Sequence, residues 1–245
     1  ALAGLTTAQA EVLVSSAVVA LGSAKLAVLS STNISKLSTA VIANLTTAQV
    51  GGLTTAQVAS LTSTQVSNLD SSQLVALTSS QAGALTSSQL AVITTAGLVA
   101  METQDVGNLS ASALVGLTTA QAAVLTAEEV VAFGSTKLSG LSSTNVASLN
   151  TAVIAGLTTG QVASLTSTTV RSLSSAQLVA LTSVQAGVLT SAQLAVISAD
   201  NLAVMETSDV GNLSSAALAG LTTAQAGVLV SSAVVALGSA KLAVL

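Results

Sequence analysis

Hydrophobic residues recur along the whole chain with a period of eight. From Leu5 to Leu245, every eighth residue is Leu, Ile, Met or Phe, and no octad gains or loses a residue. The consensus is L-[TS]-[TS]-[AS]-Q-[VLA]-x-x, as in residues 53–60. We number the octad from its leucine, so that Leu53 stands at position one, Gln57 at position five and Val58 at position six. Such a strict internal period is typical of solenoid proteins.

Positions two and five have the spacing of a helix-capping box. In this motif a Ser or Thr hydroxyl accepts a hydrogen bond from the N3 amide, and the N3 Gln reaches back to the N-cap amide. Thr54 with Gln57, and Thr118 with Gln121, are predicted to cap helices in this way. Most octads repeat the pattern, so each helix is limited to about six residues before the next start signal.

The two apolar positions predict which side chains form the core. Leu53 precedes the N-cap and Val58 follows the Gln, which is the arrangement of a hydrophobic staple. Leu117 and Phe133 occupy the same row as Leu53, and we expect all four side chains to be buried. Helices this short are not stable alone, so neighbouring octads must bury these rows.

The pattern therefore predicts an all-α fold, a solenoid of very short capped helices stacked into a superhelical rod or tube. One continuous helix fits worse, because eight residues advance a helix by about 80° beyond whole turns and the leucine row would spiral. A β-solenoid is the alternative, since Thr, Val and Ile suit strands. The sequence has few residues suited to the corners of a β-solenoid, because it contains only 17 Gly and no Pro. The sequence does not fix the number of octads per turn; three would give 24 residues.

A longer repeat lies above the octad. Residues 101–108 return almost unchanged at 205–212, and residues 29–33 return at 141–145. Residues 1–29 match 217–245 except for Glu11 against Gly227. We therefore expect residues 1–245 to form a single continuous octapeptide array without a domain boundary. Its longer units are predicted at about 21–132 and 133–236, within a segment of a longer chain.

Composition removes many kinds of chemistry. The 245 residues include no Cys, His, Pro, Trp or Tyr and a single Phe, and only 6% are charged, with a net charge of −4. Thiolate and imidazole chemistry are excluded, and five basic residues cannot neutralise a nucleic-acid backbone. We predict no catalytic residues, no cofactor, no nucleic-acid partner and no small-molecule substrate. No stretch has the roughly 18 apolar residues of a transmembrane segment.

Charged residues offer few candidate sites. Glu102 with Asp105, and Glu206 with Asp209, are carboxylates three residues apart that could bind Ca²⁺. The preferred interpretation is that they replace the capping Thr and Gln, so no metal site is predicted and these four remain secondary candidates.

One lysine position recurs three times in the array. Lys25, Lys137 and Lys241 share position five, where each could pair with an acid or form a solvated tip. The acids Glu128 and Glu129 come shortly before the middle copy. The glutamines elsewhere at this position are expected to act as caps, with ladders between coils or binding of sugar hydroxyls as alternatives.

The octads resemble two kinds of known repeat. The strings at 53–58 and 117–121 look like the low-complexity octad tracts of very large bacterial surface and secreted proteins, often described as adhesin-like. This resemblance implies an extracellular or cell-surface location and a structural or adhesive role. The first residues of the octad are also similar to the first helix of transcription-activator-like effector repeats. Those repeats are over four times longer and present a basic DNA-facing surface.

Architecture and composition together favour a structural function. We expect the solenoid to associate with itself, by stacking and lateral packing, into an extracellular filament, sheath or matrix. The alternative is a passive stalk or spacer within a large bacterial surface adhesin. A third hypothesis, a binding module that uses a groove along the coil, requires clustered exposed side chains on one face.

Overall fold

The protein is all-helical, as the octad pattern predicts. The computed structural model describes residues 4–243, and helices make up 67% of the structure, with no strand in those residues. Many short helices pack in a repeating pattern, which is a helical repeat solenoid. The prediction of an all-α solenoid is therefore confirmed, and the β-solenoid alternative is wrong. Ala, Leu and Gln, which favour helices, decide this outcome together with the caps.

The chain divides into two compact units, at residues 1–121 and 122–245. Within the first unit the helices are α1 Thr7–Glu11, α2 Ser15–Leu21, α3 Ser23–Leu26, α4 Ser31–Lys36, α5 Thr39–Ala43, α6 Thr47–Gly51, α7 Thr55–Ser60, α8 Ser63–Val66, α9 Ser71–Val75, α10 Ser79–Gly83, α11 Ser87–Leu90, α12 Thr95–Ala100, α13 Thr103–Asn108 and α14 Ala111–Leu114. Helix α15, Thr119–Val124, includes residues of both units.

The second unit continues the same series of helices. They are α16 Ala127–Ser139, α17 Ser143–Ser148, α18 Thr151–Gly156, α19 Thr159–Ser164, α20 Ser167–Ser172, α21 Ser175–Val179, α22 Ser183–Gly187, α23 Ser191–Leu194, α24 Ala199–Ala203, α25 Thr207–Asn212, α26 Ser215–Leu218, α27 Thr223–Gly227 and α28 Ser231–Leu242. Two of them, α16 and α28, each span two octads.

Each turn of the solenoid contains three helices. Helices three apart in the chain pack on each other, as α7 does on α4 in the first unit and α25 on α22 in the second. Three octads make 24 residues per turn, the value that the sequence left open. In most octads position one lies between helices, and it is extended at Leu37 (φ −62°, ψ 142°), so the chain turns a corner there.

The interior is built from positions one, five and six of the octad. Leu53, Val58, Leu117 and Phe133, the side chains predicted as core, are at most 5% exposed. Positions two, three, four and seven mostly face outward, and position eight is exposed or half-buried. The small Ser, Thr, Ala and Val side chains of the array therefore form its surface.

Glycine at position two makes a different corner in α16 and α28. Gly134 (φ 69°, ψ 174°) and Gly238 (φ 73°, ψ 163°) lie inside these helices in a left-handed conformation that Gly22 (φ 72°) shares, whereas octads such as that of Thr54 have an extended Thr or Ser. No atom outside the local backbone lies within 4 Å of the point where a Cβ would stand. The conformation, rather than lack of space, therefore requires glycine here.

We predict that Gly134→Ala lowers the free energy of unfolding of the second unit by about 1–2 kcal/mol, because an L residue is disfavoured at this φ. The matched control is Gly227→Ala, which also has open space around the added Cβ but an ordinary φ. Gly227 ends α27, and the control should be neutral or slightly stabilising. Urea unfolding followed by far-UV circular dichroism measures both, and equal effects of the two substitutions would contradict the conformational argument.

Candidate functional site

The glutamine at position five closes a capping box inside the solenoid. In the octad that contains α7, the Thr54 amide donates to Gln57 Oε1 at 2.8 Å, and the Gln57 amide donates to Thr54 Oγ1 at 3.1 Å. Thr118 and Gln121 form the same pair of bonds, at 2.8 and 3.2 Å. These side chains are the four named as caps from the sequence, and both glutamines are 1% exposed. Each box satisfies two amide groups that a helix start leaves without partners.

The same glutamine side chain also binds the preceding turn. Gln57 Nε2 donates to the carbonyl oxygens of Leu26 at 3.0 Å and Leu29 at 2.8 Å. Gln121 Nε2 donates to the carbonyl oxygens of Leu90 and Ile93, both at 2.7 Å. One amide group therefore connects the start of one helix to the end of a helix one turn earlier.

This double role is repeated through both units. It is shared by buried glutamines that are 1–2% exposed and donate to at least one carbonyl of the preceding turn: Gln49, Gln57, Gln65, Gln73, Gln81, Gln89, Gln121, Gln161, Gln177, Gln185, Gln193 and Gln225. We call them the glutamine column. The side-chain oxygen and NH₂ group of each glutamine both form hydrogen bonds within the protein, so the column does not present these groups to a sugar. The NH₂ groups donate to backbone carbonyls and not to other glutamines.

Carbonyl groups at helix ends are the acceptors in the column. Val58 O, near the end of α7, accepts from the Leu61 amide at 3.1 Å and from Gln89 Nε2 at 2.8 Å. Leu61 O, in the corner between helices, accepts from Gln89 Nε2 at 2.7 Å. Buried carbonyls without partners each cost about 1–3 kcal/mol, so these bonds remove a penalty that short helices otherwise create at every corner.

Other donors replace glutamine at position five in some octads. Asn33 Nδ2 donates to Leu5 O at 2.8 Å. Lys241 Nζ donates to Gly211 O at 2.5 Å. This bond to a backbone carbonyl is neither of the two arrangements that the sequence suggested for this lysine, a solvated tip or a pair with an acid. Lys137 is half-buried at the same position, and Lys25, in the first full turn, is exposed.

Acidic residues at position five form part of the same arrangement. Glu129 is 5% exposed, and its Oε2 accepts from the Thr126 amide at 2.7 Å, which completes a capping box. Glu128, one residue earlier, is exposed. Elsewhere in the first unit, Lys36 forms an ion pair with Glu11 at 3.3 Å, and both side chains are about half exposed. Such a pair contributes at most about 1 kcal/mol.

The four carboxylates considered for Ca²⁺ separate into exposed and buried pairs. Glu102 and Glu206 are N-cap residues whose side chains make no cap hydrogen bond, and both are exposed. Asp105 and Asp209 are 4% and 2% exposed at position five. The described residues contain no group of three or more His, Cys, Asp or Glu side chains placed to hold a metal ion.

The exposed surface carries an apolar row on one side of each unit, which the sequence analysis did not identify. In the first unit the row is formed by positions seven and eight of the octads of α3, α6, α9 and α12, namely Ala27, Val28, Gly51, Gly52, Val75, Ala76, Val99 and Ala100. The equivalent residues of the second unit, 104 positions later, are Val131, Ala132, Ala155, Gly156, Val179, Ala180, Ala203 and Val204. We call these rows the apolar edges.

The apolar edges differ from the other two sides of each unit. Elsewhere, positions seven and eight include polar or charged residues such as Lys36, Asn68 and Arg171. On the edges, Val99 is 60% exposed and Val204 is 49% exposed. The edges become visible only when every third octad is aligned, because one turn contains 24 residues. The structure supplies this number.

Neither cavities nor helix lengths add another kind of site. A pocket beside Met205, Val210 and Leu229 has a volume of about 10 Å³, too small for an organic substrate. Among residues 4–243, the helices are too short and too polar for any of them to cross a bilayer.

The fold and the glutamine column define a helical repeat protein. Proteins with this kind of fold are generally not catalytic. Within this class, the family model described as the ALTTAQ repeat matches residues 26–63, 98–135 and 202–245. The chain therefore contains ALTTAQ repeats in three stretches. A comparison with curated proteins gives no match.

We predict that Gln81→Glu destabilises the first unit by about 2–4 kcal/mol. Glu129 shows that a glutamate can retain the cap bond, but a carboxylate cannot donate to Val50 O and Leu53 O, which Gln81 Nε2 reaches at 3.0 and 2.6 Å. Urea unfolding and backbone hydrogen exchange of α10 provide the measurement.

Gln9→Glu is the matched control for this substitution. Gln9 completes the capping box of α1, but its side chain is exposed. The control should change the free energy of unfolding by no more than about 0.5 kcal/mol. If Gln81→Glu and Gln9→Glu have equal effects, the bonds between turns do not stabilise the fold.

Proposed function

We propose that this chain is a structural repeat protein that associates with itself into an extracellular filament, sheath or matrix. The apolar edges carry this proposal, because they present exposed valines without a charged neighbour at positions seven and eight. Its solenoid turns would remain intact on assembly, and the edges would pack laterally against copies of the same chain.

The low charge of the surface supports self-association. Only 6% of the residues are charged, whereas soluble surfaces typically have about 25–35% charged residues to keep molecules apart. The outward positions are mainly Ser, Thr, Ala and Val, whose short side chains lose little conformational entropy when they are covered. An interface built from them orders few flexible groups.

The repetition of the edges supports assembly of identical chains. Each unit has the same kind of row at an offset of 104 residues, so a single chain carries two copies of one surface. A surface that occurs more than once on each molecule can connect molecules into extended arrays, whereas a single self-complementary patch closes a dimer.

The extracellular or cell-surface location is part of the proposal. It is supported by the resemblance of the octads to tracts of very large bacterial surface and secreted proteins. The chain also has no cysteine or histidine, and the buried amides of the glutamine column are occupied by capping and by bonds between turns, which favours a structural protein over an enzyme.

We predict that the protein forms large assemblies as its concentration rises, and that charges on the apolar edges abolish them. The edge variant replaces four exposed edge valines with Glu: Val75, Val99, Val179 and Val204. The control variant makes the same change, with the same net charge, at four exposed valines outside the edges: Val12, Val115, Val184 and Val235. Sedimentation velocity and negative-stain electron microscopy measure the assemblies.

The proposal expects assembly of the wild-type protein and the control variant, and dispersed molecules of the edge variant. A wild-type protein that remains monomeric at high concentration would overturn it and would favour a passive stalk or spacer. Equal assembly of the edge and control variants would show that the edges are not the interface.

A further inference from the structure

Asp209 places an acceptor where the repeat ordinarily places a donor. In many octads position five holds a Gln, Asn or Lys side chain that donates to carbonyl oxygens of the preceding turn, as Gln185 does to Ile154 O at 2.9 Å and Leu157 O at 2.7 Å. A carboxylate has no hydrogen to donate. At Asp209 the column is therefore interrupted by an acidic group that is 2% exposed.

Only one of the two carboxylate oxygens of Asp209 has partners. Its Oδ1 accepts from Ser183 Oγ at 2.7 Å and from Ser208 Oγ at 3.4 Å. Its Oδ2 is buried without a hydrogen-bond partner, and no other buried side-chain N or O atom in residues 4–243 is in this situation. Burying a polar oxygen without a partner is unfavourable, so Oδ2 offers a place for a cation or a hydrogen-bond donor.

The register of the repeat indicates which backbone oxygens lie opposite position 209. The glutamine column donates to carbonyls 31 and 28 residues earlier, which for position 209 are those of Leu178 and Leu181. With aspartate in this position, no side-chain amide donates to these two carbonyls. The unpartnered carboxylate oxygen and the two carbonyls that this register assigns to it are hard oxygen ligands of the kind that Ca²⁺ prefers.

We propose that Asp209 binds a calcium ion between two turns of the second unit. The cation takes the place that the Gln Nε2 group occupies elsewhere in the column, and it joins the Asp209 carboxylate to the end of α21 and the corner that follows it. Water molecules complete the six to eight ligands that Ca²⁺ takes. The ion therefore substitutes for a hydrogen bond between turns and makes this junction depend on calcium.

The first unit contains an equivalent position. Asp105 is 4% exposed at position five, and its Oδ1 accepts from Ser79 Oγ at 2.6 Å, as Asp209 does from Ser183. Its sequence neighbourhood is the earlier copy of the same octad. A second calcium ion at Asp105 would be present in the wild-type protein and in a variant at position 209 alike.

The test compares the wild-type chain with Asp209→Gln after removal of divalent ions with a chelator. The variant introduces the side chain that the repeat itself uses at this position, so it should fold, which far-UV circular dichroism checks. Asp70→Asn is the control: it removes one acidic charge, and asparagine retains the N-cap that Asp70 supplies to α9. Isothermal titration with CaCl₂ and elemental analysis after dialysis measure the bound calcium.

We expect Asp209→Gln to bind one calcium ion fewer per chain than the wild-type protein and the Asp70→Asn variant. Affinity on the order of 10⁻⁴–10⁻³ M is sufficient for an extracellular site. Calcium should also raise the thermal midpoint of the wild-type protein more than that of Asp209→Gln. If the wild-type protein binds no calcium at millimolar concentration, or if Asp209→Gln binds as many ions as the wild-type protein, the proposal is wrong.

Discussion

The constraint on this fold is that very short helices consist almost entirely of ends. A helix of five or six residues leaves nearly all of its amide and carbonyl groups without partners inside the helix. The hydroxyl at position two and the carbonyl oxygen of the Gln side chain accept hydrogen bonds from the backbone amides at the helix start. The amide NH₂ group of the same Gln donates to backbone carbonyls one turn away. Gln57, with bonds to Thr54, Leu26 and Leu29, shows the whole arrangement in one side chain.

This arrangement explains why the surface consists mainly of small, uncharged side chains. The polar side chain that connects neighbouring turns, Gln at position five, is buried, and the leucine and valine rows surround it. What remains outside is a set of small hydroxyl and apolar side chains that the fold scarcely constrains. A surface of this kind suits repeated contact between copies of one chain better than recognition of one defined ligand, which is why the proposed function is structural.

Local features of this fold could be predicted from the sequence, and features that depend on the turn could not. The spacing of Thr54 and Gln57 predicts a helix start, and Leu53 and Val58 lie in the core that their staple indicates. The number of helices per turn depends on contacts such as Gln57 with Leu26, 31 residues apart, which no local pattern encodes. For the same reason, neither the bond from Lys241 to Gly211 nor the orphan oxygen of Asp209 could be recognised from the sequence.

The account depends most directly on the claim that buried glutamine amides hold the turns together. Nuclear magnetic resonance of the side-chain NH₂ groups tests it, because hydrogens in buried bonds exchange slowly with solvent. Gln57 and Gln185 should exchange far more slowly than the exposed Gln9 and Gln104, which serve as references in the same sample. Exchange of Gln57 and Gln185 as fast as that of the exposed pair would contradict the central claim.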